Sequence, residues 1–252
     1  MTDDGAAARR VAQAAAELLL EVRAGLDRGV DPDDVRREGD RRSHELIVSL
    51  LAEQYPDDAI VSEESAQRVG SRRARRIWIV DPLDGTREFA EPDRSDFAVH
   101  IALVEDGELT TGAVALPGRA GAPVVVSDEP PDLAPREPAP LRIAVSRTRP
   151  APEAPRLAAA LGAELVPMGS AGVKILAVFE GTADVYVHSG GQYTWDSAAP
   201  VAVAAAAGLH ASRIDGSPLD YGGESPWLPD LVVCRPELRD DVLATLLDTL
   251  AA

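Results

Sequence analysis

The sequence predicts a layered α/β protein, with an N-terminal α+β half and a C-terminal α/β half. Apolar residues recur at helical spacing in several segments, and short apolar runs bounded by turn residues lie between them. In the second half of the 252 residues, strand and helix patterns alternate. Aromatic residues make up only 4% of a chain that is 45% hydrophobic, so we expect a core of alanine and aliphatic side chains.

The N-terminal half begins with two segments of helical pattern. Residues 6–26 alternate Ala, Leu and Val with charged residues, and residues 40–55 place four aliphatic side chains on one face. A loop rich in Asp and Pro is expected between them, at 30–35. Strands are then expected at 59–62, 77–80, 96–104 and 110–116, with a hairpin-like turn at 105–108 between the last two.

A segment rich in proline and polar residues, 128–140, is the best candidate for a boundary between the halves. We expect an N-terminal α+β subdomain of residues 1–135, with most metal ligands, and a C-terminal α/β subdomain of residues 136–252, with substrate-binding residues. The second is expected to contain strands at 141–146, 164–167, 183–187 and 230–234, and helices at 152–161, 171–180, 197–207 and 236–250.

The formal net charge of −17 argues against partners that carry many negative charges. Nucleic-acid polymers are not expected, because their binding depends on Lys and Arg at phosphates, and neither is an anionic membrane surface. A small anionic substrate stays possible, because bound Mg²⁺ reverses the local sign of an acidic site. The single cysteine, Cys234, the acidic N-terminus and the lack of long apolar runs predict a cytoplasmic protein. Both a monomer and a homodimer remain open.

Two carboxylates directly follow an apolar strand pattern. The run Ile77–Val80 leads into Asp81 and Asp84, and Gly85 and Thr86 come next. Burying uncompensated carboxylates costs several kcal/mol. A cation is therefore expected beside them, while the free backbone amides of the Gly-Thr turn suit a phosphate. The alternative is a tight Asp-Pro-x-Asp-Gly turn that only closes the strand.

Two further acidic positions end or begin predicted elements. Glu63 and Glu64 follow the apolar run at 60–62, where exposed glutamates would be the ordinary interpretation. Asp196 opens an Ala-rich helix and would be a natural N-cap. Three acidic ends of strands or helices in one chain, taken together, indicate a shared site.

These segments resemble the inositol monophosphatase superfamily of Mg²⁺-dependent, lithium-sensitive phosphatases. That family pairs a Glu-Glu segment, a Trp-x-x-Asp-Pro-x-Asp-Gly-Thr segment and a later Trp-Asp-x-Ala-Ala segment. Here Glu63-Glu64, residues 78–86 and residues 195–199 stand in the same order. The resemblance covers nearly the whole chain, and it implies an αβαβα sandwich.

The resemblance also implies metal ligands. One Mg²⁺ would be held by Glu63, Asp81 and the main-chain carbonyl of Leu83. A second would be held by Asp81, Asp84 and Asp196. Such a pair of metals activates a water and stabilises the leaving oxygen of a phosphate ester.

A water-activating pair is implied as well. Asp40, expected at the start of the second helix, matches the family aspartate that partners Thr86. A third, weaker Mg²⁺ near Glu63 would hold the attacking water, so that Asp40, Thr86 and Glu63 form the expected catalytic set.

The residues after the Asp-Gly-Thr turn indicate which subgroup of this family the chain resembles. Ordinary inositol monophosphatases tend to carry Thr-Asn-Phe there, whereas this chain has Arg87-Glu88-Phe89. This segment and residues 169–174 resemble the CysQ-type 3′(2′),5′-bisphosphate nucleotidases. The resemblance implies removal of the 3′-phosphate of 3′-phosphoadenosine 5′-phosphate, which gives AMP and phosphate.

A bisphosphate has a second phosphate that needs its own cations and donors. Lys174, near a helix start, is one candidate, and Ser146, Arg147 and Arg149 are others; for the two arginines, solvated surface is the alternative. Related nucleotidases carry His at the position of Arg149, so this arginine is a departure. The expected substrate-binding residues are Asp84, Gly85, Thr86, Arg87, Ser146, Arg149, Ser170, Lys174 and Asp196.

Two other functions stay open: hydrolysis of inositol monophosphate or fructose 1,6-bisphosphate, as a broad or principal activity, and a catalytically silent metal- or nucleotide-binding regulator. Tyr193, Trp195 and Trp227 could stack on a base, although core packing is favoured for each. The basic run 72–76 is interpreted as a solvated loop. The histidines show no metal-site spacing and are interpreted as surface or satisfied core residues; they are His44, His100, His188 and His210.

Overall fold

The computed structural model describes residues 2–69, 74–136, 140–223 and 225–250. Arg72 and Arg73 of the basic run lie outside them. Within the described residues, two β-sheets alternate with three layers of helices, which confirms the predicted layered α/β class. None of the helices in this part of the chain is long and apolar enough to cross a membrane.

The helices form the two outer layers and the central layer. Those described are α1 (Asp3–Arg23), α2 (Pro32–Gln54), α3 (Thr86–Phe89), α4 (Ala154–Leu161), α5 (Ala171–Phe179), α6 (Thr194–Ala206) and α7 (Arg239–Leu250). Helices α1 and α2 cover the outer face of the first sheet, α5 and α6 lie between the sheets, and α4 and α7 cover the outer face of the second.

The strands form two mixed sheets. The first has the order β2-β1-β3-β4-β5-β6 and contains β1 (Ala59–Ser62), β2 (Ser65–Val69), β3 (Arg76–Asp84), β4 (Ala98–Glu105), β5 (Glu108–Ala115) and β6 (Val124–Val126). The second has the order β10-β11-β9-β7-β8 and contains β7 (Arg142–Ser146), β8 (Glu164–Met168), β9 (Val185–Tyr193), β10 (His210–Ser212) and β11 (Trp227–Cys234). The sequence prediction omits β2, β6, β10 and α3, because elements of three to five residues are too short to show a hydrophobic period.

The second helix begins at Pro32 rather than at residue 40, so the predicted Asp-Pro loop is its first turn. The Asp31 side chain accepts a hydrogen bond of 2.8 Å from the backbone N–H of Asp33, and Pro32 occupies the first helical position. The same residues that suggested a loop are therefore a helix start. Asp40 lies well inside the helix, not at its beginning.

Parallel pairing of β1 with β3 brings two acidic segments together. Ser62 is opposite Val80 in this pairing. The next residue along the chain is acidic in both segments, so Glu63, directly after β1, lies beside Asp81 of β3.

A bulge in β3 turns a second carboxylate to the same face. Asp81 is opposite His100 and Asp84 is opposite Ala98, so four residues of β3 face three residues of β4. Without the bulge, side chains three positions apart would point to opposite faces. The extra residue instead places Asp81 and Asp84 on one face of the sheet.

The third acidic segment begins differently from the prediction. Strand β9 continues to Tyr193, and α6 starts at Thr194. Asp196 is thus the third residue of the helix and not its N-cap. Its carboxylate accepts a hydrogen bond of 2.6 Å from the backbone N–H of Tyr193, the reciprocal contact that an acidic residue makes at this position.

Candidate active site

A cavity of about 890 Å³ lies where these segments converge, a size typical of small-molecule sites. Three groups of lining residues differ in their chemistry, and we name each group by its residues. They are an acidic corner (Glu63, Asp84 and Asp196), a cationic corner (Arg87 and Arg149) and an aromatic rim (Tyr193 and Trp227). Gly85, Thr86, Ser146, Ser170 and Lys174 also line the cavity, so all nine predicted substrate-binding residues line one space.

Asp81 lies behind the acidic corner and is only 1% exposed. One of its oxygens accepts a hydrogen bond of 3.0 Å from the backbone N–H of Leu83. Its position at the start of the bulge places it next to Asp84, and Glu63 is within hydrogen-bonding reach. The four predicted carboxylate ligands therefore converge, as the sequence predicts.

Asp84 is held by the N-terminus of α5. Its Oδ2 atom accepts hydrogen bonds from the Ser170 hydroxyl and, at 3.0 Å, from the backbone N–H of Gly172. Ser170 is also the N-cap of α5, since its Oγ accepts a bond from the N–H of Val173. One oxygen of Asp84 is thus fixed by the protein, and the other is available to a ligand.

A buried histidine, His100, faces the same carboxylate. Its Nδ1 atom lies 3.1 Å from the carbonyl oxygen of Trp195, which can only accept, so Nδ1 carries the proton. Burial lowers the pKa of His100, which favours the neutral ring. Its Nε2 atom then presents a lone pair 3.4 Å from Asp84 Oδ2, and it has no hydrogen-bond partner among the described residues.

Burial, and then the repulsion between neighbouring carboxylates, raises the pKa of the clustered acids. Burial, followed by the charges of Glu63 and Asp84, holds the pKa of Asp81 well above its usual value. Burial raises the pKa of Asp196 to about 7, assisted by the charge of Asp84. Glu63 keeps an exposed side, but partial burial of its carboxyl group raises its pKa to about 7 as well, against the effect of its hydrogen bond with Asp81.

This donor set fits a divalent cation. The ligand atoms of Asp81, Asp84 and His100 lie within 4.8 Å of one another. Carboxylates that repel one another at such distances are the oxygen ligands that a hard cation stabilises, and a cation would also relieve the contact between the His100 lone pair and Asp84. The acidic cluster can therefore hold a metal ion.

Asp40 and Thr86 lie on two elements next to this cluster. Burial raises the pKa of Asp40 to about 7, and the charges of Glu64 and Glu63 add to the effect. The Thr86 hydroxyl donates a hydrogen bond of 3.2 Å to the carbonyl of Leu83. Among the hydrogen bonds between described residues, none joins Asp40 to Thr86, so their pairing stays a prediction.

Lys174 lines the cavity but is almost fully buried in its wall. Its side chain is 3% exposed, its ammonium group donates to the carbonyl of Gly169, and it lies 5.3 Å from the centre of the Tyr186 ring. Burial lowers its pKa, but the charges of Asp84, Glu88 and Asp196 oppose this. The charge of Lys174 therefore interacts mainly with these surrounding carboxylates.

The cationic corner contains two of the predicted arginines but not the third. In the described part of the chain, Arg87 and Arg149 form no ion pair, and both are exposed. Arg147 is instead bound to Glu88 at 2.6 Å and to Glu91 at 2.8 Å. The Ser146 hydroxyl accepts a hydrogen bond of 3.1 Å from the backbone N–H of Arg149 and so shapes this loop.

Two sequence interpretations prove wrong at this site. Core packing was favoured for Tyr193 and Trp227, but their side chains are 43% and 48% exposed on the cavity, because β9 and β11 carry them past the end of the core. The interpretation of His100 as a surface or satisfied core residue is also wrong, because His100 is buried and its Nε2 atom has no hydrogen-bond partner among the described residues. The pairing of β4 with β3 sets His100 opposite Asp81, and the local sequence pattern does not reveal this pairing.

Comparisons with known proteins agree with this geometry. Residues 3–248 match the Inositol monophosphatase family. The 3′-phosphoadenosine 5′-phosphate phosphatase of Mycobacterium leprae is 47% identical over 255 residues, which cover 96% of this chain and 93% of that protein. The 3′(2′),5′-bisphosphate nucleotidase CysQ of Escherichia coli K12 is 32% identical over 200 residues, or 72% of this chain and 77% of that protein.

A solved structure extends the comparison to the fold. The crystal structure of CysQ from Bacteroides thetaiotaomicron, a bacterial member of the inositol monophosphatase family, matches with a TM-score of 0.73 at 27% identity. The match covers 92% of this chain and 97% of that one. With the acidic corner assembled from the three motif segments, these findings show that the chain belongs to the inositol monophosphatase family.

Proposed function

We propose that this protein is a Mg²⁺-dependent phosphomonoester hydrolase that removes the 3′-phosphate of 3′-phosphoadenosine 5′-phosphate, giving AMP and phosphate. The observation that carries the proposal is that one cavity is lined both by carboxylates and by two arginines that form no ion pair among the described residues. A bisphosphate presents two phosphates that such a cavity can bind at different places. The names of the relatives from Mycobacterium leprae and Escherichia coli support the same substrate class.

Two Mg²⁺ ions are proposed at the acidic corner. Glu63, Asp81 and the carbonyl of Leu83 would hold one, and Asp81, Asp84 and Asp196 the other. A third, weaker ion near Glu63 would complete the site. When bound, these ions supply a nucleophilic water and stabilise charge on the leaving oxygen.

The chain itself orients the reactants. Asp40, whose pKa is about 7, can take up a proton near neutral pH, which suits a group that assists the attacking water together with Thr86 and Glu63. Gly85 lies at a φ of 85°, and its backbone and that of Thr86 line the cavity at the start of α3, where N–H groups suit phosphate oxygens.

The second phosphate is proposed to bind at the cationic corner. Arg87 and Arg149 can both turn to a phosphate, because neither is engaged by an acid in the described chain. Ser146 would support the same loop. Ser170 and Lys174 are buried, and we propose that they act through Asp84 and Asp196 rather than by direct contact with the second phosphate.

The location, oligomeric state and partners of the protein are proposed as well. We place it in the cytoplasm, as a monomer or homodimer, without nucleic-acid polymers or membranes as partners. The division into subdomains 1–135 and 136–252 is likewise proposed; the first sheet ends at Val126 and the second begins at Arg142.

A parallel substrate comparison tests the function. Phosphate release should be measured from 3′-phosphoadenosine 5′-phosphate, inositol 1-phosphate and fructose 1,6-bisphosphate under identical Mg²⁺. We expect the nucleotide to have the highest kcat/KM; equal or better turnover of either other substrate would overturn the assignment. No turnover of any of the three would favour a silent metal- or nucleotide-binding regulator.

Arg149 offers a matched test of the cationic corner. We expect Arg149→Ala to raise KM for the nucleotide about tenfold, since a charge-assisted hydrogen bond is lost, and to leave KM for inositol 1-phosphate unchanged. Arg156→Ala, an exposed arginine on α4, is the control and should change neither value. An equal change with both substrates would remove Arg149 from second-phosphate binding.

A further inference from the structure

The aromatic rim is unlike the rest of the protein. The chain has ten aromatic residues, and only Tyr193 and Trp227 are exposed among those described. Both line the cavity that holds the acidic corner. Large apolar side chains grouped at a polar cavity indicate a binding surface, because exposing them to water is unfavourable unless something covers them.

The two rings belong to one ordered cluster. Tyr193 stacks on Trp195 with ring centres 4.5 Å apart and an angle of 11° between the planes. Trp227 meets Tyr193 edge to face at 5.4 Å. Trp195 packs on the central core, so the cluster is anchored from below and its outer members cannot collapse inward.

The backbone is shaped to admit the Trp227 ring. Trp227 is opposite Tyr193 in the pairing of β9 with β11. Gly190 and Gly191 have φ values of 87° and 93°, and a Cβ atom on Gly191 would come within 1.9 Å of the indole ring. The absence of a side chain at Gly191 therefore lets the indole ring lie directly on the backbone at the cavity.

The rim is also close to the acidic corner. The backbone N–H of Tyr193 is bonded at 2.6 Å to Asp196, a proposed metal ligand. An aromatic surface, an acidic corner and a cationic corner thus share one cavity. A nucleoside bisphosphate has three parts of matching chemistry: a flat base, a phosphate to be cleaved and a second phosphate.

We infer that Tyr193 and Trp227 form the stacking surface for the purine base of the substrate. The inference rests on the proposed function and names the residues that distinguish a nucleotide from an inositol or sugar phosphate. Every base offers a flat π-face, so the rim selects for the presence of a base, and the two corners select for the positions of the phosphates.

Binding of AMP and of ribose 5-phosphate, measured by calorimetry in the presence of Mg²⁺, tests the rim without turnover of the bisphosphate. We expect AMP to bind the wild type about tenfold or more tightly than ribose 5-phosphate, which has the same phosphate and no base. Trp227→Ala and Tyr193→Ala should each remove most of that difference. Trp227→Phe keeps a flat ring and should retain it.

The kinetic arm uses the same variants. KM for 3′-phosphoadenosine 5′-phosphate should rise about tenfold in Trp227→Ala, and KM for inositol 1-phosphate should rise much less. Leu165→Ala, another exposed apolar residue, on β8, is the control and should leave all values unchanged. Thermal melts should show that each variant is folded.

Several results would overturn the inference. Equal affinity of the wild type for AMP and ribose 5-phosphate, or unchanged AMP affinity in both alanine variants, would remove the rim from base binding. Failure of the proposed function would give a different pattern. The nucleotide would not be hydrolysed, but AMP would still bind more tightly than ribose 5-phosphate, and Trp227→Ala would still remove that difference.

Discussion

Glu88 and Arg147 form an ion pair that joins the two sheets beside the cavity. Arg147 Nη2 lies 2.6 Å and Nε 3.0 Å from Glu88 Oε1, and the Glu88 side chain is almost fully buried. Glu88 is on α3, directly after the Asp-Gly-Thr turn, and Arg147 follows β7. The pair therefore fixes the loop that carries Ser146 and Arg149 against the turn that carries Arg87.

We expect Glu88→Gln to weaken binding of the bisphosphate rather than the chemical step. Losing the charge leaves Arg147 partly uncompensated and frees the loop of the cationic corner. KM for 3′-phosphoadenosine 5′-phosphate should rise about tenfold, with a smaller change for inositol 1-phosphate. Glu91→Gln removes the more exposed partner of Arg147 and is the control, with a small effect expected. Unchanged KM in Glu88→Gln would contradict this positioning role.

Asp84→Asn should reduce kcat/KM at least about a hundredfold, because it removes a proposed metal ligand from a cluster whose charges act together. Mg²⁺ affinity, measured by the metal dependence of the melting temperature, should fall as well. Asp93→Asn, an exposed aspartate before β4, is the control and should retain wild-type activity. Wild-type turnover by Asp84→Asn would rule out a catalytic role for the acidic corner.

Stability without metal should fall as pH rises from about 4 to about 7 through the contribution of the acidic cluster. Asp40, Glu63 and Asp196 have pKa values of about 7 in the fold, above their ordinary values. Between the two values the folded protein holds protons that the unfolded chain has released, so deprotonation favours unfolding.

Mg²⁺ should reverse this loss, because it binds the ionised cluster and only in the folded state. The rise in melting temperature on adding saturating Mg²⁺ should therefore be larger at about pH 8 than at about pH 5.5, where protons compete for the same oxygens. Melts in a chelator and in NaCl of matched ionic strength are the controls. An equal rise at both pH values, or none, would show that these acids do not bind the metal.

The sequence could place Glu63 and Asp81 together because both end apolar runs, and parallel strands deliver their ends to one edge of a sheet. It could not place His100, whose approach to Asp84 depends on the β3–β4 register and on the bulge, which are set by strand pairing and not by local pattern. The start of α2 was missed for a different reason: Asp and Pro favour both loops and helix N-termini.

Exposure of the aromatic rim was also beyond local pattern. Tyr193 and Trp227 are apolar enough to be core residues, and only the ends of β9 and β11 carry them to the cavity. Solvated surface was the alternative for both Arg147 and Arg149 in the sequence analysis, and the ion pair of Arg147 with the distant Glu88 was not predictable from local pattern. Residue types therefore predict which functional groups the chain contains, and long-range contacts decide which of those groups reach the cavity.

Gly172 provides a test of how closely His100 and Asp84 must be held. A Cβ atom at Gly172 would lie 2.2 Å from His100 Nε2, while the Gly172 N–H is bonded to Asp84. Helix propensity alone predicts that Gly172→Ala stabilises α5 by up to about 1 kcal/mol, but the clash predicts the opposite sign. We expect a lower melting temperature and a loss of kcat, because the added Cβ atom displaces the ring that faces the Asp84 carboxylate.

The double variant Gly172→Ala/His100→Asn separates the clash from other effects of the added methyl group. The shorter asparagine leaves room for the Cβ atom, so melting temperature and kcat should recover relative to Gly172→Ala alone, a non-additive result expected of residues in direct contact. His100→Asn by itself measures the cost of losing the bond to the Trp195 carbonyl. If Gly172→Ala melts at or above the wild-type temperature with full activity, the close packing of His100 on α5 has no part in positioning Asp84.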